Sequence, residues 1–163
     1  MISANKIKYI CTDWSNVLVG HHAVCVLALI GCGYAAAVLS SMAEKVYTIE
    51  TIVPLGEEAK QRLQELGYGN VHVGIGDGSI GWKEHAPYNA IIVACAAPDL
   101  PKSLTEQLAI NGKLVIPVSK TGLGHEELLK ITRISETEYH KEFILDVRFV
   151  PLVGKEGYSS NGR

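Results

Sequence analysis

AVCVLALIGCGYAAAVLSSM, residues 23–42, decides the fold. Residues 23–30 form an unbroken apolar run of strand length, Gly31-Cys32-Gly33 interrupts it, and the alanine-rich residues 34–42 follow. A strand that is apolar at every position must be covered on both faces, so this stretch predicts a buried strand turning sharply into a helix.

The same alternation continues outward. Residues 45–49 (KVYTI) are rich in β-branched and aromatic side chains. Pro54, Glu57 and Glu58, with apolar Ala59, Leu63 and Leu66 before Gly67, then give the punctuation of a helix: Pro and acids early, Gly at the end. Residues 71–75 predict a third strand, 89–95 (NAIIVAC) a fourth, 102–109 a short helix, and 113–117 (KLVIP) a fifth strand after an Asn-Gly turn. Strands separated by helices need crossovers, which make the strands parallel and place helices on both faces. The rhythm changes after Gly124, where residues 127–134 and 139–150 are strand-like and only residues 135–138 separate them. The predicted architecture is therefore α/β: a doubly wound, Rossmann-like parallel sheet with a C-terminal antiparallel hairpin.

With 163 residues and 47% hydrophobic content, the chain is expected to form one domain over residues 1–163, with residues 155–163 as a flexible polar tail. A net charge of −2 offers no basic field for nucleic acid, and no apolar run reaches the roughly 18 residues of a membrane span. Residues 1–22 lack the pattern of a secretory signal, which predicts a cytoplasmic protein. Cys11, Cys25, Cys32 and Cys95 include no C-x-x-C pair and are expected to be buried, inert thiols. The six histidines show no metal-ligand spacing and are read as surface or packing residues, so no metal site is predicted.

In a doubly wound sheet, ligands bind beyond the carboxyl ends of the strands. Gly31 and Gly33 follow the first strand and would let a ligand approach the backbone and the start of a helix. Glu50 follows the second, where an acid can accept hydrogen bonds from two ribose hydroxyls. Asp77, set between Gly76 and Gly78, follows the third and suits an exocyclic amine beside a flat base. Small residues 94–97 and Pro98 follow the fourth and would floor a pocket. Each feature alone is ordinary turn chemistry; in this order they describe an adenosine site, with Gly31, Gly33, Glu50, Asp77 and Gly78 as the cofactor-binding residues. Dinucleotides and S-adenosylmethionine both use such an arrangement.

The segments CGYAAAVLSSMAEKVYTIE, GDGSIGW, APYNAIIV, NGKLVIPV and VRFVPLVG resemble the protein-L-isoaspartate O-methyltransferase family, from about residue 24 to residue 154. The resemblance implies S-adenosylmethionine as cofactor, held by the glycine turn, Glu50 and Asp77. It implies methyl transfer to the free α-carboxyl of isoaspartyl residues in damaged proteins or peptides. A carboxylate is already ionised at neutral pH and a sulfonium methyl already activated, so this reaction needs alignment and desolvation more than a base, and no catalytic residue is assigned.

The chain departs from the family's pattern in three places. It reads VLALIGCGY, with Leu27 or Ala28 where the family carries an acid, one glycine fewer, and β-branched Ile30 in a loop that calls for positive φ. Residues 1–22 contain no Q-T-I-S-like stretch, and Asn89 replaces the acid of Y-D-A-I-I-V. The expectation is a chain that folds but transfers methyl groups slowly. The competing readings are a degenerate homologue acting as a binding or assembly module and a nicotinamide-dependent oxidoreductase, which Gly31, Gly33 and Glu50 alone would satisfy.

Overall fold

The computed structural model describes residues 24–28, 31–119 and 125–159. In chain order the elements are β1 (Val24–Ala28), α1 (Tyr34–Ser40), β2 (Lys45–Glu50), α2 (Val53–Glu65), β3 (Val71–Ile75), β4 (Tyr88–Val93), α3 (Lys102–Glu106), β5 (Leu108–Ser119), β6 (Glu126–Arg133) and β7 (Tyr139–Val147), with 3₁₀ turns at Gly78–Ile80 and Lys83–His85. Seven strands form one sheet in the order β3-β2-β1-β4-β5-β6-β7. The first five are parallel, while β6 is antiparallel to both β5 and β7. The predicted parallel sheet and antiparallel hairpin are both present. The strand order reverses between β1 and β4, which makes the carboxyl ends of these strands the expected crevice.

Alternation along β2 explains the two layers of helix. Val46 packs with Ala36 and Leu39 of α1 and with Ala59 and Leu63 of α2. Its neighbours Tyr47 and Ile49 point to the other face, into a core with Leu104 of α3 and Ile91, Leu114, Ile116, Leu129 and Ile131 of β4, β5 and β6. Burial of side chains such as Ile91 and Leu114, both 0% exposed, is worth about 1.5–3 kcal/mol each and drives the assembly. Between β3 and β4, Trp82 lies on Gly74, where an added Cβ would stand 2.7 Å from its ring. His72 and His85 stack on Tyr47 with centroids 4.9 and 4.0 Å away, in keeping with a packing role.

Four local readings change. Glu57 and Glu58 lie beyond the first turn of α2, which begins at Val53. The third helix ends at Glu106 and not at residue 109, because Leu108 already pairs with Tyr88 and the Tyr88 amide donates to the Gln107 carbonyl at 2.7 Å. Asn111-Gly112 is accordingly not a turn ahead of a strand but a bulge within β5: Asn111 has φ 65, and an added Cβ on Gly112 would lie 2.7 Å from the Tyr88 carbonyl oxygen. Finally, Lys155, Glu156 and Tyr158, expected in a flexible tail, are hydrogen-bonded to Asp77, Ser79, Ser103 and Ser119. Polar composition conceals this docking because much of it is made by backbone amides. The readings on Ile30, Cys11, His21, His22 and residues 1–22 fall outside the described residues.

Candidate functional site

β1 delivers Gly31 to the centre of the sheet's carboxyl edge, and β2 delivers Glu50 beside it. The Glu50 carboxylate is 1% exposed and accepts the Gly31 amide at 3.1 Å through Oε2 and the Ile52 amide at 2.9 Å through Oε1. Each oxygen keeps a further lone pair. Gly31 (φ 51) and Gly33 (φ 86) both occupy the left-handed region, so the turn needs residues without a Cβ penalty. Gly33 is also packed under α2, where an added Cβ would lie 3.2 Å from Leu63 Cδ1, and Arg62 of the same helix donates to the Cys32 carbonyl at 2.9 Å. Gly56 lets the first turns of α2 close over the acid, since an added Cβ there would be 2.9 Å from Ile75 and 3.4 Å from Glu50 Cβ.

The β3 turn joins this group through the backbone: the Gly76 amide donates to the Glu50 carbonyl at 3.0 Å. A Cβ built on Gly31 or on Gly76 meets nothing within 4 Å, so open space lies beside the turns after both β1 and β3. Asp77 follows directly, but its carboxylate is already engaged. Oδ1 accepts the Ser79 amide at 2.8 Å and the Ser79 hydroxyl at 2.7 Å, while Oδ2 accepts the Lys155 amide at 2.7 Å. Gly78 is buried in the 3₁₀ turn that Asp77 caps. Glycine turn, Glu50 and G-D-G are therefore neighbours along one edge, with Glu50 facing the first turn and Asp77 facing the C-terminal segment.

The segment after β4 differs from its expected role. Cys95, Ala96 and Ala97 are each 0% exposed, and the Ala96 amide and carbonyl bond Val150 and Leu152 at 2.8 Å each. These small residues support the segment that follows β7 and do not floor an open pocket. Sequence reasoning gave no role to that segment, although VRFVPLVG carries the resemblance, nor to Ser79, which lies within GDGSIGW, nor to Ser103 and Glu156, which lie in no quoted motif. Burial, and then the Glu50 charge, push the Cys95 thiol up to about 12. Cys32, by contrast, is exposed in the glycine turn, correcting the expectation that all four thiols are buried. Since the thiolate is the reactive form, iodoacetamide at pH 8 should label Cys32 in the native protein and spare Cys95. Peptide mapping that found Cys95 labelled as fast would contradict this burial.

A cavity of about 490 Å³ lies at the other end of β3, lined by Lys60, Gln64, Tyr68, His72, Trp82 and His85 among others. It contains none of the predicted cofactor residues. Among the described residues, no three His, Cys, Asp or Glu side chains are grouped to hold a metal ion, and no helix is long and apolar enough to cross a membrane.

The family model for Protein-L-isoaspartate(D-aspartate) O-methyltransferase matches residues 1–157. Protein-L-isoaspartate O-methyltransferase 1 of Geotalea uraniireducens (strain Rf4) is 52% identical over 128 residues, covering 78% of this chain and 58% of that protein. The protein-L-isoaspartate O-methyltransferase of Protochlamydia amoebophila (strain UWE25) is 51% identical over 130 residues, covering 80% of this chain and 61% of that one. The chain thus spans about three-fifths of the length of these relatives. Among solved structures, a protein-L-isoaspartate O-methyltransferase superposes with a TM-score of 0.83 at 23% identity, covering 95% of this chain and 49% of the other. A Plasmodium falciparum structure described as a putative protein-L-isoaspartate O-methyltransferase in complex with S-adenosyl-L-homocysteine gives 0.79 at 21% identity, covering 94% and 75%. The structural likenesses speak for the fold; the family model and the relatives at about half identity establish that this chain belongs to the protein-L-isoaspartate(D-aspartate) O-methyltransferase family.

Proposed function

We propose that the chain takes part in S-adenosylmethionine-dependent methyl transfer to the free α-carboxylate of isoaspartyl residues in damaged proteins and peptides. The observation that carries this reading is the pairing of a buried acid, Glu50, with the glycine turn after β1, flanked by open space at Gly31 and Gly76. The cofactor-binding set is Gly31, Gly33, Glu50, Asp77 and Gly78. Glu50 would accept the ribose hydroxyls on the lone pairs its two amide bonds leave free. Because it is 1% exposed, a ligand touches it only once the groups covering it move aside. Asp77, with three donors already bound, has room for at most one more, such as an exocyclic amine.

When bound, S-adenosylmethionine, held by Gly31, Gly33, Glu50, Asp77 and Gly78, would supply an activated methyl group to the acceptor carboxylate, giving a methyl ester and a neutral thioether. The chain's part is to orient and to exclude water: holding the two reactants in line is worth roughly 7–11 kcal/mol of barrier in well-aligned systems, and no proton has to be moved. We read the protein as one cytoplasmic domain acting on isoaspartyl-containing polypeptides, with no nucleic-acid or membrane partner.

Two measurements test the reading together. S-adenosylhomocysteine should raise the melting temperature and NAD should not, because a ligand bound by the native state alone stabilises it. An isoaspartyl peptide should gain label from methyl-labelled S-adenosylmethionine, and its aspartyl counterpart should not. Stabilisation by S-adenosylhomocysteine without any methyl transfer would favour the binding-module reading. Stabilisation by NAD alone would favour the oxidoreductase.

A further inference from the structure

After β7 the chain crosses the carboxyl ends of the parallel strands as a strap. The Val150 carbonyl accepts the Ala96 amide and the Leu152 amide donates to the Ala96 carbonyl, each at 2.8 Å, just beyond β4. Leu152 is 3% exposed and anchors the strap in the main core. The chain then turns, with the Gly157 amide on the Gly154 carbonyl at 3.1 Å. Neither glycine tolerates a side chain, since an added Cβ would stand 2.0 Å from Asp77 Oδ1 at Gly154 and 2.2 Å from the Leu152 carbonyl oxygen at Gly157. Within the turn, the Lys155 amide donates to Asp77 at 2.7 Å and the Glu156 amide to Ser79 Oγ at 2.9 Å. The Tyr158 hydroxyl and Ser119 Oγ lie 2.5 Å apart at the end of β5.

Glu156 makes the link to α3. Its Oε2 accepts the Ser103 amide at 2.9 Å, and its Oε1 accepts the Ser103 hydroxyl. The N-cap of α3 is Pro101, whose side chain makes no cap bond, so the helix start lacks a local acceptor and takes one from 53 residues away. We propose that Glu156 is a positioning residue for the methyl acceptor: by capping α3 it fixes residues 150–154 as a wall of the crevice beyond the carboxyl ends of the strands. This rests on the methyltransferase reading above. Ligands of doubly wound sheets occupy that crevice. Within the strap Val150 and Val153 remain 61% and 36% exposed, an apolar surface suited to the aliphatic parts of a polypeptide. Glu156 acts through the strap and not on the reacting atoms.

Glu156→Ala and Glu156→Gln separate positioning from folding. Gln can accept the Ser103 amide through its carbonyl and donate its NH₂ to the Ser103 hydroxyl, whereas Ala can do neither. In Glu156→Ala the KM for an isoaspartyl peptide should rise about tenfold, the size expected for losing a bond to a charged acceptor, with kcat falling less. Affinity for S-adenosylhomocysteine, measured by calorimetry, should stay unchanged, and Glu156→Gln should restore KM to near the parent value. Amide exchange at Leu152 and Tyr158 should accelerate in Glu156→Ala and not in Glu156→Gln. An unchanged KM, an S-adenosylhomocysteine affinity that falls in step with KM, or unchanged exchange at those amides each overturns the proposal. A parent chain that transfers no methyl group overturns the acceptor reading and the positioning role with it. In that case the exchange data still report separately whether Glu156 holds the strap.

Discussion

Replacing Glu50 with Ala should lower the melting temperature by roughly 5–15 °C, on a scale of about 2–4 °C per kcal/mol for a chain of this size. It should also weaken S-adenosylhomocysteine binding by roughly 10–100-fold, the equivalent of two lost hydroxyl bonds. The stability loss follows from the two amides that the acid satisfies, Gly31 at 3.1 Å and Ile52 at 2.9 Å. Both donors are part-buried, so leaving each without a partner costs toward the lower end of about 1–3 kcal/mol. Removing the side chain also opens a void between β2 and α2, where Gly56 allows the helix to approach Glu50 Cβ. Glu50→Gln isolates the charge from the volume: it keeps one acceptor for one amide and turns an NH₂ toward the other. Thermal unfolding followed by circular dichroism reads the first effect and calorimetry the second. Unaltered S-adenosylhomocysteine affinity in Glu50→Ala would remove Glu50 from the cofactor site, and an unaltered melting temperature would show that its amide bonds carry little of the fold.

Much of this arrangement was legible in the sequence because its causes are local. Apolar runs bounded by glycine give strands, and their separation by helices gives parallel crossovers. Glycine-glycine-acid-acid placement after successive strands then follows from that order. The hairpin was legible for the same reason, since residues 135–138 are too few for a crossover. What the sequence hides is decided at long range. Asn111-Gly112 supplies positive φ equally well to a turn or to a bulge, and the choice is made by the pairing of Leu108 with Tyr88, 20 residues earlier in the chain. The polar composition after Gly154 reads as solvated chain, yet Lys155 and Glu156 dock through main-chain amides, which have no signature in residue type. Asp77 was found as a candidate site residue, but nothing local to Gly76-Asp77-Gly78 reveals that a donor arrives from residue 155.

That arrival changes what an Asp77→Asn substitution should do. As a ligand-reading residue alone, Asp77 could become Asn with little effect on the melting temperature. In the folded chain its two oxygens receive three donors, the Ser79 amide and hydroxyl on Oδ1 and the Lys155 amide on Oδ2. Asn offers a single acceptor oxygen. If its oxygen takes the Oδ1 position, the NH₂ faces the Lys155 amide, donor against donor, and the strap loses its hold on β3. In the flipped orientation the NH₂ faces the Ser79 amide, and the cap of the 3₁₀ turn is lost. The Ser79 hydroxyl can rotate to accept from that NH₂ on its second lone pair while still accepting the Glu156 amide, but the Ser79 amide is left without its acceptor. Either way one or two bonds to a charged acceptor disappear, a loss of about 2–4 kcal/mol, which corresponds to a melting temperature lower by roughly 5–12 °C. Amide exchange should then rise at Lys155 and Glu156 while the Gly31 amide, held by Glu50, keeps its protection. Calorimetry with S-adenosylhomocysteine completes the test: a lower melting temperature with unchanged affinity makes Asp77 a clasp only, a fall in both gives it the adenine as well, and an unchanged melting temperature would mean that the two bonds to Ser79 and the one to the strap carry little of the fold.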